Sequence, residues 1–165
     1  SLERVLVKNP MIKSAQVYYS LDGYIHVNIQ QREPVLRVLT GEGYYVDRDG
    51  RVMPLSSKFT SRVVVATGDI NKKFACEKLG PFAMKLKNEP FWDAYIEQLV
   101  VRSNEDVVMI PKVGDFRIVL GKVDDCEARL EKLMLFLKDG ITKKGWNRYK
   151  EINLKFDNQV VCVRK

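Results

Sequence analysis

The chain has 165 residues, 45% of them hydrophobic, so it can build a core in one ordinary domain or two small ones. No apolar run approaches the ~18 residues of a membrane span, and the polar start of the chain shows no signal peptide, so we expect a fragment whose anchor or targeting segment lies upstream. Lysine and arginine number 28 against 21 acidic residues, a net charge of +7, but the cations are spread along the chain and form no extended basic stripe.

The first part of the chain predicts a helix followed by a β-hairpin. Residues 2–7 fit a short helix, and residues 15–19 are β-branched and aromatic, as strands are. Asp22 and Gly23 supply the turn, and residues 25–30 then alternate between apolar and polar side chains. We expect Pro34 to end this strand, because proline cannot donate to a central ladder.

The middle of the chain predicts a second hairpin and several short elements. Two strands flank a turn at residues 47–50, and residues 62–66 are typical of a buried strand. Pro81 and Pro90 each open a helical piece, and the second piece carries apolar residues spaced as far as Leu99. Further strands are expected at 106–110 and 116–120.

The C-terminal part predicts one good helix and a last strand pair. The helix covers about residues 124–139, with Asp124 or Asp125 as its N-cap. The strands cover 152–156 and 160–164. Because strands dominate and helices do not alternate with them in a βαβ rhythm, we predict an α+β protein with a largely antiparallel sheet.

The residues that usually build catalytic or metal sites are sparse. The one histidine, His26, lies on the polar face of its strand without a serine or cysteine motif to pair with. Cys76, Cys126 and Cys162 are far apart, which does not suit a four-ligand zinc site. One disulfide is possible, but small buried thiols are favoured. The sequence therefore predicts a binding module with no catalytic residues, metal or cofactor.

The last strand has the composition of an edge that needs a cover. Residues 160–163 are apolar on both faces, and only Arg164 and Lys165 guard them. An edge of this kind suits a partner strand, which would satisfy its unpaired backbone groups. A central position in the chain's own sheet explains the same pattern, and both interpretations remain open.

A basic and aromatic cluster at residues 143–150 also has two interpretations. Such interleaving suits single-stranded nucleic acid. A loop whose aromatic rings dock on the core while its cations stay in water is favoured, because one short cluster makes no extended binding stripe.

Three stretches carry a resemblance to a known family. They are residues 10–15 with the hairpin and 32–35, residues 43–54, and residues 145–156 with 159–162. In their order and spacing they resemble the FtsQ/DivIB family of bacterial cell-division proteins, in its Bacteroidetes-type form. The resemblance extends over nearly the whole chain.

The resemblance implies two domains and a location. Residues 1–39 correspond to the C-terminal part of a POTRA domain, a helix plus a β-hairpin. Residues 40–165 correspond to a mostly antiparallel β domain with interspersed helices. The family implies a non-enzymatic scaffold of septal division, anchored in the inner membrane by one upstream helix, with this fragment in the periplasm.

The resemblance also implies partners and the surfaces that bind them. FtsB-like and FtsL-like proteins would bind by β-strand addition to the last strands, without nucleic acid or a cofactor. The first surface comprises Ile152, Leu154, Phe156, Asn158, Val160, Val161, Val163 and Arg164. Other division proteins would use the POTRA part, at Tyr24, Gln31, Arg32 and Glu33.

A second class of protein shares the first segment. POTRA-containing proteins that handle outer-membrane or secreted polypeptides would have a similar hairpin, followed by a barrel or by further POTRA repeats. The sequence on both sides of this chain would distinguish the two classes.

Overall fold

The computed structural model describes residues 1–141 and 148–165, and begins with a helix and a two-stranded hairpin. Helix α1 (Leu2–Val7) starts at Ser1, whose hydroxyl accepts a hydrogen bond from the Arg4 amide. Strands β1 (Ile12–Tyr19) and β2 (Ile25–Gln31) pair antiparallel, and Gly23 has the positive φ of 87° that the predicted turn requires. The predicted helix and hairpin are confirmed.

The remaining strands form one nine-stranded sheet. They are β3 (Pro34–Val38), β4 (Tyr44–Asp47), β5 (Val52–Pro54), β6 (Val64–Gly68), β7 (Ile96–Arg102), β8 (Asp106–Pro111), β9 (Arg117–Gly121), β10 (Tyr149–Asn153) and β11 (Val161–Arg164). Their order across the sheet is β11-β10-β9-β8-β7-β6-β3-β4-β5.

The predicted α+β class is confirmed. The sheet is mixed, which corrects the prediction of a largely antiparallel sheet. Strand pairs β3–β6, β6–β7 and β9–β10 run parallel. Parallel neighbours need a long crossover, and helices supply it between β6 and β7 and again between β9 and β10. Two βαβ units are therefore embedded among antiparallel strands.

The helices pack together against the sheet. They are α2 (Lys72–Phe74), a π-helical turn (Ala75–Leu79), α3 (Gly80–Asn88), α4 (Pro90–Tyr95), and α5 (Glu127–Phe136) with a π-helical extension (Leu137–Ile141). Lys78 of the π-helical turn pairs with Asp124, just before α5, and Lys85 of α3 pairs with Glu127, the first residue of α5. Leu99 and Ile118 of the sheet are buried in one cluster with Leu133 of α5.

Three local predictions are wrong. The helix from Pro90 ends at Tyr95, and Ile96–Arg102 is strand β7, because pairing with β6 and β8 outweighs the helical spacing of its apolar residues. Helix α5 begins at Glu127 with Cys126 as N-cap, and Asp124 bonds Lys78 instead. Pro34 is expected only to end β2, but in the structure it is the first residue of β3. Proline is tolerated there, because the first residue of a strand need not donate a backbone hydrogen bond.

The expected domain boundary after residue 39 would separate strands that pair with each other. Strand β3 lies on its N-terminal side, yet β3 pairs with β4 and β6 in the large sheet. By pairing, residues 34–38 therefore go with the second unit. Within the described residues, no helix is long and apolar enough to cross a membrane.

Candidate partner-binding site

Strand β11 lies at one edge of the nine-stranded sheet. Among the described strands its one neighbour is β10, with which it pairs antiparallel from Asn153–Val161 to Tyr149–Arg164. A hydrogen bond of 3.1 Å from the Lys165 amide to the Arg148 carbonyl continues the ladder. Of the two interpretations of this strand, the structure therefore supports the edge.

Two of the predicted surface residues, Ile152 and Leu154, lie in the core and not on the surface. The strand expected at residues 152–156 begins and ends earlier in the structure, where β10 covers Tyr149–Asn153. Ile152 and Leu154 are fully buried in the core. Their side chains hold β10 and β11 against the helices and present no surface to a partner.

The exposed part of this surface follows β10. The Phe156 ring is 46% exposed, and Asn158 makes the turn with a φ of 57°. Val160, Val161 and Val163 are half-buried, and Arg164 is exposed. The exposed and half-buried residues thus lie in the turn that follows β10 and along β11 itself.

Helix α5 fixes the position of Phe156. The Lys132 ammonium group donates hydrogen bonds to the carbonyl oxygens of Leu154 at 3.1 Å and Phe156 at 2.6 Å. Burial of this ammonium group lowers the pKa of Lys132. The segment that leaves β10 is therefore anchored, which reduces the entropy that Phe156 would lose on binding.

The charges around this edge are mainly positive. Lys150 and Arg164 are exposed beside the strand pair. Arg117 bonds Glu151 at 3.0 Å, and Lys165 reaches Asp115 at 3.2 Å.

The second predicted surface is divided along the hairpin. Tyr24 is exposed at the turn, where its carbonyl accepts the Ser20 amide at 2.9 Å. Gln31 is exposed at the opposite end of β2. Seven strand residues separate these ends by about 23 Å, so they do not form one compact contact.

Arg32 and Glu33 already hold partners within the chain. Arg32 bonds the buried Asp47 carboxylate at 2.9 Å. Glu33 pairs with Arg48 at 3.0 Å and with Lys87 at 3.4 Å. Burial acts to raise the pKa of Glu33, but the two cations together hold it below the usual value. Both residues therefore connect the hairpin to the large sheet.

Asp47 holds this junction together, and sequence reasoning did not identify it. One carboxylate oxygen accepts the amides of Asp49 at 2.9 Å and Arg51 at 2.8 Å, while the other binds Arg32. The available signal was an aspartate at the first position of a turn, which bonds backbone amides a few residues on.

The two predicted surfaces lie at opposite ends of the molecule. The hairpin joins the sheet near β4, through Arg32–Asp47 and through Lys13–Asp49 at 2.9 Å. Strand β11 is the far edge. Strand β4 lies seven strand spacings from β11, which amounts to about 33 Å along the sheet, so the two surfaces are far apart.

The residues considered for other chemistry are dispersed. His26 stacks on Tyr18 with ring centroids 4.8 Å apart. Cys76, Cys126 and Cys162 are in the reduced form, and burial raises the pKa of the Cys76 and Cys126 thiols. Within the described part of the chain, no three histidine, cysteine or acidic residues gather as metal ligands.

The structure also has a cleft at the amino ends of β6 and β7. Its volume is about 620 Å³, and Val35, Leu86, Trp92 and Ile96 line it, with Arg62 and Lys87 among its charged residues.

The basic cluster at 143–150 lies partly outside the described residues, since 142–147 are not described. Arg148 and Lys150 are exposed, but Tyr149 is buried and packs near Phe136 with ring centroids 6.3 Å apart. This aromatic ring is therefore not available to stack on a base.

Comparison with known proteins gives one family. The model of the family described as FtsQ/DivIB, C-terminal related, matches residues 33–163. No curated protein sequence matches the chain. The matched region begins directly before β3 and ends within β11, so it contains the large sheet, whereas the hairpin lies outside it.

Proposed function

The chain belongs to the FtsQ/DivIB, C-terminal related family, and from this premise we propose that it is a scaffold of the bacterial division machinery. The family is non-enzymatic and membrane-anchored within that machinery. The proposed role is to hold other division proteins on the periplasmic side of the inner membrane, with an upstream helix as the anchor.

The position of β11 at the sheet edge carries this proposal. Strand addition to an edge supplies affinity through backbone hydrogen bonds and specificity through alternate side chains. Here the backbone of β11 would provide affinity, and the exposed Phe156 ring would provide specificity. The proposed partners are FtsB-like and FtsL-like proteins, each contributing an extended segment.

The hairpin unit is proposed as part of a POTRA domain. It has a helix and two antiparallel strands, and by strand pairing it comprises residues 1–31 rather than 1–39. Other division proteins would be recruited here, with Tyr24 and Gln31 as the exposed contacts. The family match over residues 33–163 favours this function over the handling of outer-membrane or secreted polypeptides.

Binding of an FtsB-like peptide to the purified chain tests the C-terminal surface. Phe156→Glu and Val161→Glu should each weaken binding at least about 30-fold, a loss of about 2 kcal/mol, because a carboxylate would be desolvated against the added strand. Isothermal titration calorimetry measures the affinity, and circular dichroism checks that the fold is retained.

Val52→Glu is the matched control. Val52 is 39% exposed on β5, the opposite edge of the same sheet, so the same change there should leave affinity unchanged. Unchanged affinity in both β11-side variants would reject this surface. Equal losses in all three variants would show a non-specific charge effect instead of strand addition.

A further inference from the structure

A second cleft lies beside the start of helix α5, and we call it the α5 cleft. Its volume is about 520 Å³. Ser103 and Asn104 line it from the turn between β7 and β8, Lys122 directly after β9, Arg129 from α5 and Lys155 from the segment after β10. Among the described residues, none of the lining comes from the hairpin, so the cleft belongs to the large sheet and α5.

Backbone carbonyl oxygens hold Lys122 and Arg129 in place. The Lys122 ammonium group donates to the Asn104 carbonyl, and the Arg129 guanidinium group donates to two carbonyls, one of them that of Asp124 at 2.6 Å. The Asp124 carboxylate itself pairs with Lys78 at 2.5 Å. A neutral oxygen orients a cation without cancelling its charge, and both groups carry more N–H donors than these bonds use. The two positive charges are therefore fixed in position and remain able to bind an anion.

The two acids in the lining have other cations beside them. Asp106 pairs with Arg102 at 2.6 Å, and Lys155 reaches the same carboxylate at 3.6 Å. Asp157, the other acid, interacts electrostatically with Lys132 of α5. Cations therefore outnumber acids around the α5 cleft, so the cleft favours a negatively charged ligand.

The backbone around the α5 cleft adopts conformations that position these groups. Asn104 and Glu105 are consecutive residues with φ of 61° and 57°, in the left-handed region that residues other than glycine seldom adopt. At Gly121 φ is 91°, and an added Cβ would lie 3.0 Å from Lys155 Cγ and 3.4 Å from Arg129 Nη1. Strained backbone is typical of ligand sites, where surrounding contacts hold it. Gly121 thus leaves room for both cationic side chains to lie together.

We propose that the α5 cleft binds a phosphate group, carried by a small phosphomonoester or by a lipid headgroup. A phosphomonoester has a charge of about −2 at neutral pH, which matches the two held cations, Lys122 and Arg129. A carboxylate has a smaller charge and would leave one of them without an anion. The exposed Ser103 and Asn104 side chains at the rim would add neutral donors. This binding needs no division partner.

Titration of the 165-residue chain with glycerol 3-phosphate, followed by amide chemical shifts in NMR spectra, tests the proposal. We expect saturable shifts, largest at Asn104, Gly121 and Lys122, with a Kd of about 1 mM. Lys122→Gln combined with Lys155→Gln should weaken binding at least about tenfold, because two cations of the cleft are lost. Both side chains are exposed, and circular dichroism checks that the fold is retained.

Lys58→Gln combined with Lys73→Gln is the matched control, since it removes the same charge from exposed lysines outside the cleft. It should change the affinity less than about twofold. Equal losses in the two double variants would overturn the proposal, because net charge alone would then explain binding. So would the absence of saturable shifts up to about 10 mM, or a peptide of glutamates that binds these residues more tightly than the phosphomonoester.

Vesicles distinguish the two sources of the phosphate group. Phosphatidylcholine vesicles are prepared with and without phosphatidic acid, whose headgroup is a phosphomonoester. Sedimentation of the chain only with phosphatidic acid vesicles, lost in the Lys122 and Lys155 double variant, would assign the cleft to a lipid headgroup. Binding of glycerol 3-phosphate without binding to either vesicle would assign it to a free phosphomonoester.

Discussion

At the scale of single residues, Asp47 organises the junction between hairpin and sheet. Its carboxylate is buried, yet all its contacts are favourable, since it bonds two backbone amides and the Arg32 guanidinium group. A buried charge of this kind is costly to leave unpaired. The position of the hairpin therefore depends on one side chain of the β4–β5 turn.

Asp47→Ala should lower the free energy of unfolding by about 3 kcal/mol, because it leaves Arg32 without its partner and frees two turn amides. Urea denaturation measures this loss. Asp49→Ala is the control, since the Lys13–Asp49 pair is exposed on both sides and should contribute little to stability. Equal losses in the two variants would contradict a special role of Asp47.

Tyr95 has a buried hydroxyl that finds no hydrogen-bond partner among the described residues. Burial raises the pKa of Tyr95 to about 12, above the value of about 10 for tyrosine in an unfolded chain. Between these values the unfolded chain loses its proton first. Rising pH therefore favours unfolding from about pH 10 to pH 12.

Tyr95→Phe should reduce this alkaline loss and leave stability at pH 8 equal or higher, because the variant lacks the unsatisfied hydroxyl. Denaturant titrations at pH 8 and pH 11 compare the two proteins. Tyr19→Phe serves as control, since it removes the same hydroxyl from a ring that is 78% exposed. An alkaline loss as large in Tyr95→Phe as in the unchanged protein would contradict this assignment.

At the scale of elements, the parallel pairing of β6 and β7 depends on a close approach at Gly68. Its φ is 107°, and an added Cβ would lie 2.1 Å from the Val101 carbonyl oxygen. This same oxygen accepts the Asp69 amide at 2.8 Å as the chain leaves β6. Any side chain at this position would push the two strands apart.

Gly68→Ala should therefore destabilise the protein by at least about 2 kcal/mol, from backbone strain together with the clash. Gly23→Ala separates the two effects, because Gly23 also has positive φ but no atom within 4 Å of an added Cβ. Thermal denaturation of both variants gives the difference. A loss at Gly68 no larger than that at Gly23 would show that the close approach contributes nothing.

At the scale of the whole molecule, the sheet separates two kinds of edge. The C-terminal edge is short, adjoins exposed cations and is anchored by α5 through Lys132. The hairpin edge at the other end is longer and uncharged. The hairpin meets the large sheet near β4, so most strands of that sheet lie between the two edges.

Much of the local structure followed from the sequence alone. The alternation of residues 25–30, the turn at Gly23 and the hairpin at 47–50 were predicted because each depends on residues close in the chain. The predicted family is confirmed over residues 33–163 for a similar reason, since it rests on the order and spacing of motifs. The surfaces assigned to partners stay predictions.

Only the tertiary structure decided the pairing of distant segments. Strand β3 was missed because it gains its neighbours β4 and β6 from later in the chain, and β7 was mistaken for helix because its apolar spacing suited both. The same long-range pairing placed β11 at the edge and buried Leu154 within the predicted binding surface. Composition determined that strands would form, but hydrogen bonding across the sheet determined which of them remained exposed.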